Sequence, residues 1–218
     1  MVLGLSGGLD SALTATLCCQ ALGKRRVLCL ILPCETLKQD LADARLIVRN
    51  LGLRAKTVDL TATYKACLRI LPEAGRVARG NVKARLRMLT LYYFANKLNY
   101  LVCGTSNKSE ILMGYFTKYG DGAEDIAPLG DLLKSQVRKL ARTLNIPGRI
   151  INKTPSAGLW PNQTDEGELG ISYHQLDDIL LRLSRGQRQI QSARLVNRVK
   201  FRIKASEHKR QPPKICRI

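Results

Sequence analysis

The chain has 218 residues, with 36 Lys+Arg against 17 Asp+Glu for a formal net charge of +19, and it is 45% hydrophobic. Those proportions exclude a disordered or collagen-like chain and leave a globular protein with room for one substantial core. No apolar run approaches the ~18 residues that span a bilayer. The longest, about Val27 to Pro33, is strand-sized, and the N-terminus lacks the basic region and small-residue cleavage site of a secretory leader, so a cytoplasmic protein is expected.

In chain order, Val2 to Leu5 reads as a short apolar strand, followed by Gly7 and Gly8 and an Ala-rich helix from Leu9 to about Leu22. A second strand, Val27 to Leu32, leads through Pro33 to a helix from about Leu37 to Leu51, and Ala55 to Leu60 reads as a third strand. Strands alternating with helices of this length predict βαβ units. The fold class expected is α/β, a doubly wound parallel sheet with helices on both faces. A helix from about Val82 to Leu98 is apolar almost all round between Met88 and Ala95, so one face must meet something besides its own sheet. A dimer partner is the simplest candidate.

Tyr100 to Gly104 reads as a fourth strand, and a helix from about Leu132 to Leu144 puts Leu133, Val137, Leu140, Ala141 and Leu144 on one face, with Lys134 and Arg138 opposite. Pro155, Gly158, Pro161 and Gly167 mark a long loop, then a helix from about Ser172 to Leu183 and a basic helical stretch to about Val199. A loop of that length is commonly a functional lid. Residues 1–218 are read as one domain, with 154–170 as a flexible loop and 184–218 as a basic C-terminal extension.

Seven cysteines, an odd number, lie mostly in apolar segments without CxxC or Cys/His zinc spacing, and read as reduced core residues of a cytosolic enzyme. The charge is uneven: from Arg182 to Ile218 there are 12 Lys+Arg and one acid, Glu207. Such an excess fits either a polyanion-binding surface or a solvated basic face.

Ser6 to Ser11 reads SGGLDS between the first strand and the first helix, at the sheet edge where ligands bind in such folds. Its physics is that of an anion cradle: two glycines leave backbone N–H groups unobstructed, two hydroxyls donate, and a helix N-terminus follows. A carboxylate at Asp10 repels phosphate unless a divalent cation lies between them. Neither a Walker lysine nor a GxGxxG fingerprint is present.

SGGLDS resembles the pyrophosphate loop of the N-type ATP pyrophosphatases, which cleave ATP between its α and β phosphates. Further segments resemble the ammonia-dependent NAD synthetases: GNVKARLRM at Gly80 to Met88, GTSNKSE at Gly104 to Glu110, TKYGDGAED at Thr117 to Asp125, PSAGLWPNQTDEGELG at Pro155 to Gly170, and EHKR at Glu207 to Arg210. The resemblance covers almost the whole chain. It implies that nicotinic acid adenine dinucleotide (deamido-NAD) is adenylated by ATP and then attacked by ammonia, giving NAD, AMP and pyrophosphate.

The same resemblance implies the roles. Gly4, Leu5, Ser6, Gly7, Gly8, Leu9, Asp10 and Ser11 hold ATP, together with Thr105, Lys134 and Ser156, and Asp10 and Glu110 hold Mg2+. Arg85, Lys118, Asp125, His208 and Lys209 contact the deamidated dinucleotide. Asp121 handles ammonium and Lys134 acts on the phosphates as the second catalytic group. The loop from Thr154 to Gly170 closes over the adenylate, with Trp160 either shielding the site or packing. No glutaminase-like domain is present, as in the ammonia-dependent form, and relatives place helices ahead of the first strand, which implies an abbreviated N-terminus. A homodimer is implied, without membrane or nucleic acid.

Two other functions are weighed. A tRNA-modifying adenylating enzyme of the same loop class suits the charge but lacks the cysteine arrangement of many thiolating relatives. A nucleic-acid-binding protein on an inactive ATP fold has no use for Asp10 and Glu110, and 5% aromatic residues offer little for base stacking.

Overall fold

The computed structural model describes residues 1–187 and 192–216. Four parallel strands, β1 (Val2–Gly4), β2 (Leu28–Ile31), β3 (Ala55–Thr57) and β4 (Val102–Cys103), lie in the order β3-β2-β1-β4, with Val2 opposite both Leu28 and Val102. Alternate residues leave a strand on opposite faces, and two separate cores follow. Leu3, Cys29, Ile31 and Cys103 pack with α1 (Leu9–Leu22), α2 (Lys38–Leu51), α6 (Lys134–Thr143) and α7 (Gly148–Ile151). Val2, Leu28, Leu30 and Val102 pack with α3 (Thr61–Ile70) and α4 (Arg76–Leu98). The sheet is therefore doubly wound, as predicted. Among the described residues, no helix is long and apolar enough to cross a membrane.

A third cluster joins α5 (Lys108–Met113), α8 (Asp165–Leu169), α9 (Tyr173–Ser184) and α10 (Ala193–Ala205) through Met113, Leu169, Tyr173, Leu176, Val196 and Val199. Here the basic C-terminal segment differs from a solvated face. Arg198 donates to the Gly170 carbonyl at 2.7 Å, Arg202 to Glu168 at 3.1 Å, and Arg210 to Ile111 and Leu112 at 3.1 and 2.9 Å. These are carbonyls where α8 and α5 end, which attract cations through the helix dipole. The part of the predicted basic stretch at 188–191, and residues 217–218, lie outside the described residues.

Other differences from the sequence reading are local. Helix α4 starts at Arg76 and not near Val82, running through Gly80, a residue that ordinarily argues against a helix interior. The predicted third strand stops at Thr57, and α3 follows, its first N–H (Thr61) donating to Asp59 Oδ1 at 2.8 Å. The predicted loop at 154–170 contains α8, with Thr164 as its N-cap. All the described cysteines are free; Cys18, Cys29, Cys34 and Cys103 are buried, whereas Cys216 is exposed.

Candidate active site

From β1 the chain winds through α1 to β2 on one side, while β4 lies on the other, so the crevice past the carboxyl ends of β1 and β4 is the topological switch point where such sheets bind ligands. A cavity of about 290 Å3 opens there. The loop after β1 forms one wall. Gly7 has φ +82°, and a Cβ on it would overlap the Asp40 carbonyl of α2 and stand 3.0 Å from the Ala44 nitrogen, so only glycine fits. Ser6 and Ser11 hydroxyls stand 3.1 Å apart, the first accepting from Gly8 N–H at 3.2 Å and the second donating to the Gly8 carbonyl at 3.1 Å.

The loop after β4 supplies the opposite wall. Asn107 caps α5 by accepting from Glu110 N–H at 3.1 Å, and Glu110 Oε2 accepts from Asn107 N–H at 3.2 Å, a reciprocal capping box that fixes the Glu110 side chain. Asn107 Nδ2 also donates to Asp10 Oδ1 at 2.9 Å. One capping residue thus orients both carboxylates that the sequence reading assigns to a metal.

Between them stands Lys134, whose Nζ lies 2.6 Å from Asp10 Oδ2 and 3.0 Å from Glu110 Oε1. The residue begins α6, and the helix face opposite its apolar one borders the cavity with Lys134 and Arg138. Burial works to lower the Lys134 ammonium, but the Asp10 and Glu110 carboxylates outweigh it and hold the group charged. Burial pushes the Glu110 carboxyl up, with Lys134 opposing and Asp10 adding to the rise. Tyr173 OH donates to Glu110 Oε1 at 3.2 Å and to Asp165 Oδ2 at 3.0 Å, while Asp165 Oδ1 is buried without a partner.

The donor set fits a magnesium ion in one specific sense. The space between Asp10 and Glu110 already accommodates a cation, and no cluster of three or more His, Cys, Asp or Glu side chains among the described residues closes around an ion. Magnesium takes one or two protein carboxylates and completes its shell with phosphates and water.

Gly4, Leu5, Ser6, Gly8, Leu9, Asp10, Ser11, Thr105, Glu110, Asp121, Lys134 and Ser156 all border this cavity. Gly7 sits just behind it. Asp121 is exposed only in that it faces the cavity; surrounding protein desolvates its carboxyl and pushes it up, against the Thr117 N–H that donates to it at 2.9 Å. The five predicted dinucleotide contacts lie elsewhere. Arg85 donates to the Lys118 carbonyl at 3.2 Å and Lys118 to the His208 carbonyl, making one linked rim group. Lys209 is turned inward onto the Gly114 and Phe116 carbonyls, both at 2.7 Å, and Asp125 accepts from Val102 N–H at 2.8 Å and Tyr92 OH at 3.2 Å.

Several residues that line the cavity or support its carboxylates escaped the sequence reading. Asn107 was detectable, since NKSE is a capping-box pattern. Tyr173, Asp165, Arg87 and the apolar wall of Leu30 to Pro33 with Met88 had no local signal. Trp160 resolves as a packing residue: its ring lies against Gly80, where a Cβ would stand 2.9 Å from Cζ3, and Arg76 stacks on it at 5.5 Å, while Ala157, Gly158 and Leu159 border the cavity.

A parallel sheet whose switch point carries a glycine-serine anion loop and a cation held by two carboxylates defines an α/β nucleotide-phosphate-binding protein. Comparison narrows the class. The family model described as NAD synthase matches residues 1–213. The NH(3)-dependent NAD(+) synthetase of Methanosarcina acetivorans is 47% identical, over 98% of this chain and 88% of its own, and that of Methanocaldococcus jannaschii is 48% identical, over 98% and 87%. Among solved structures, NMN synthetase from Francisella tularensis superposes with a TM-score of 0.90 at 41% identity, covering 100% of this chain and 89% of that one. The NH3-dependent NAD synthetase from Campylobacter jejuni gives 0.86 at 34%, covering 99% and 88%. The chain belongs to the NAD synthase family. These relatives give no support to the tRNA-modifying or nucleic-acid-binding readings.

Proposed function

We propose that this protein amidates deamido-NAD to NAD with ATP and ammonia, releasing AMP and pyrophosphate. The observation that carries the reading is the Asp10–Lys134–Glu110 cluster at the mouth of the anion loop, in a chain whose relatives at 47% and 48% identity are NH(3)-dependent NAD(+) synthetases. In the first step an oxygen of the nicotinate carboxylate bonds to the α-phosphorus of ATP and the bond to the β-phosphate bridging oxygen breaks. In the second, ammonia nitrogen bonds to the carbonyl carbon and AMP leaves with the C–O electron pair.

Both steps bring anions together, and cationic groups must offset that repulsion. The backbone and hydroxyls of Gly4 to Ser11 cradle phosphate, Thr105 and Ser156 bind from facing loops, and Lys134 supplies a charge shared between carboxylates and phosphates. Asp10 and Glu110 are the residues that would hold magnesium, which when bound would supply positive charge against the phosphates. The apolar wall of Leu30 to Pro33 and Met88 suits an adenine ring. Asp121 holds ammonium by charge and accepts its proton, a role that its raised affinity for protons serves.

Residues 154–170 act as the lid that excludes water from the adenylate. Arg85, Lys118, Asp125, His208 and Lys209 bind the dinucleotide, and their separation from the cavity fits a homodimer in which the exposed apolar face of α4, with Leu89 and Tyr93, meets a second copy. Residues 1–218 act as one domain in the cytoplasm, where buried free thiols are stable. The similarity to an NMN synthetase makes the nicotinic acid mononucleotide a second substrate to test; the relatives at higher identity favour the dinucleotide. The adenylation half is tested by exchange of labelled pyrophosphate into ATP without ammonia. Exchange that needs deamido-NAD is the expected result, and exchange independent of it would sink the assignment.

A further inference from the structure

The geometry points to Lys153, immediately before the proposed lid, as the positioning residue that holds the phosphate loop in its anion-binding form. Its Nζ donates to the Gly7 carbonyl at 3.2 Å and pairs with Asp40 Oδ1 and Asp43 Oδ2 of α2, each at 2.7 Å. Asp43 is fixed in turn: its side chain is 3% exposed, and its Oδ1 accepts from Gln39 at 3.0 Å and pairs with the Arg149 guanidinium at 3.0 Å. The ammonium is thus held by a rigid helix.

What it holds is the peptide between the two loop glycines, which is pinned from two sides: the Gly8 N–H donates to Ser6 Oγ at 3.2 Å within the loop, and the Gly7 carbonyl accepts from Lys153, 146 positions away. Neither flanking residue has a Cβ to restrict rotation of that plane, so these two bonds set its orientation. Because carbonyl and N–H of one trans peptide point in opposite directions, a flip would exchange a donor for an acceptor on the face that meets phosphate. Lys153 selects against the flip by fixing the oxygen. The charge itself is already matched by two carboxylates, so the residue works by orientation and not as a phosphate counter-ion. It also ties the start of the lid segment to the loop, joining nucleotide binding to lid placement.

This inference rests on the ATP-using reading above, and the test separates the two. Binding of α,β-methylene ATP with magnesium is measured by calorimetry for the unsubstituted protein, Lys153→Met, Lys153→Arg and Asp40→Asn. Lys153→Met binds about tenfold more weakly, the size of one charge-assisted hydrogen bond. Its affinity for deamido-NAD stays unchanged while its melting temperature falls with the loss of the pairs to Asp40 and Asp43, and Lys153→Arg recovers most of both losses. Asp40→Asn, which loosens the ammonium, also weakens binding. Unchanged ATP affinity in Lys153→Met, or equal loss for ATP and dinucleotide, overturns the role. So does tighter binding in Asp40→Asn, which would mark Lys153 as a direct phosphate charge. Failure of the unsubstituted protein to bind the analogue would strike the functional reading instead.

Discussion

Lys134 Nζ stands 2.6 Å from Asp10 Oδ2 although 124 positions separate the two residues, and the same ammonium reaches Glu110 at 3.0 Å. Removing it leaves two poorly solvated carboxylates facing each other, a loss ordinarily near 3 kcal/mol or more. Lys134→Met should melt roughly 10 °C lower, from about 3 °C per kcal/mol for a chain of this size. Magnesium should restore part of that in a thermal-shift assay with and without the ion, since either cation answers the same repulsion.

Tyr173 links the lid helix α8 to Glu110, its hydroxyl lying 3.2 Å from Glu110 Oε1 and 3.0 Å from Asp165 Oδ2. Tyr173→Phe removes the one phenolic proton shared between Asp165 Oδ2 and Glu110 Oε1, the latter keeping Lys134 as donor, in a place where Asp165 Oδ1 already lacks a partner. The expected cost is about 1–3 kcal/mol, read as a lower denaturant midpoint with unchanged slope.

Glu124 sits over Gly104, its Oε2 buried and unpartnered, and burial, then Asp121 and Glu110, push its carboxyl up to about 7. A carboxyl raised on folding binds more protons folded than unfolded, so stability falls as pH rises from the ordinary glutamate range through about 7. Glu124→Gln should therefore match the unsubstituted protein near pH 4 and be the more stable of the two at pH 8. Urea denaturation at both values checks this, and a variant less stable at pH 8 would contradict it.

The lid reading predicts that limited proteolysis cuts within 154–170 in the free protein and is slowed by ATP with deamido-NAD. Equal cutting in both states would remove the lid role. Mass spectrometry of the fragments locates the cut.

What was legible in the sequence is what is local. The strand, SGGLDS and α1 are contiguous, so spacing alone places the anion loop, and Asn107 to Glu110 spell their own cap. Lys134 was found by resemblance, because apolar periodicity marks only the core side of its helix and cannot tell a solvent face from a cavity wall. The start of α4 was hidden by Gly80, whose missing Cβ serves Trp160 and not a helix end. The basic C-terminal segment looked solvated because its partners, the carbonyls ending α5 and α8, lie up to 99 positions away. No pattern in sequence announces a contact of that kind.

The most direct measurement is to incubate the protein with ATP, magnesium, ammonium and nicotinic acid adenine dinucleotide, with nicotinic acid mononucleotide in parallel, and to quantify the products. NAD, AMP and pyrophosphate should form in equal amounts, the dinucleotide should be the better substrate, and Asp10→Ala should abolish product while keeping the fold. Formation of ADP in place of AMP, or no amidated product from either nucleotide, would contradict the assigned reaction.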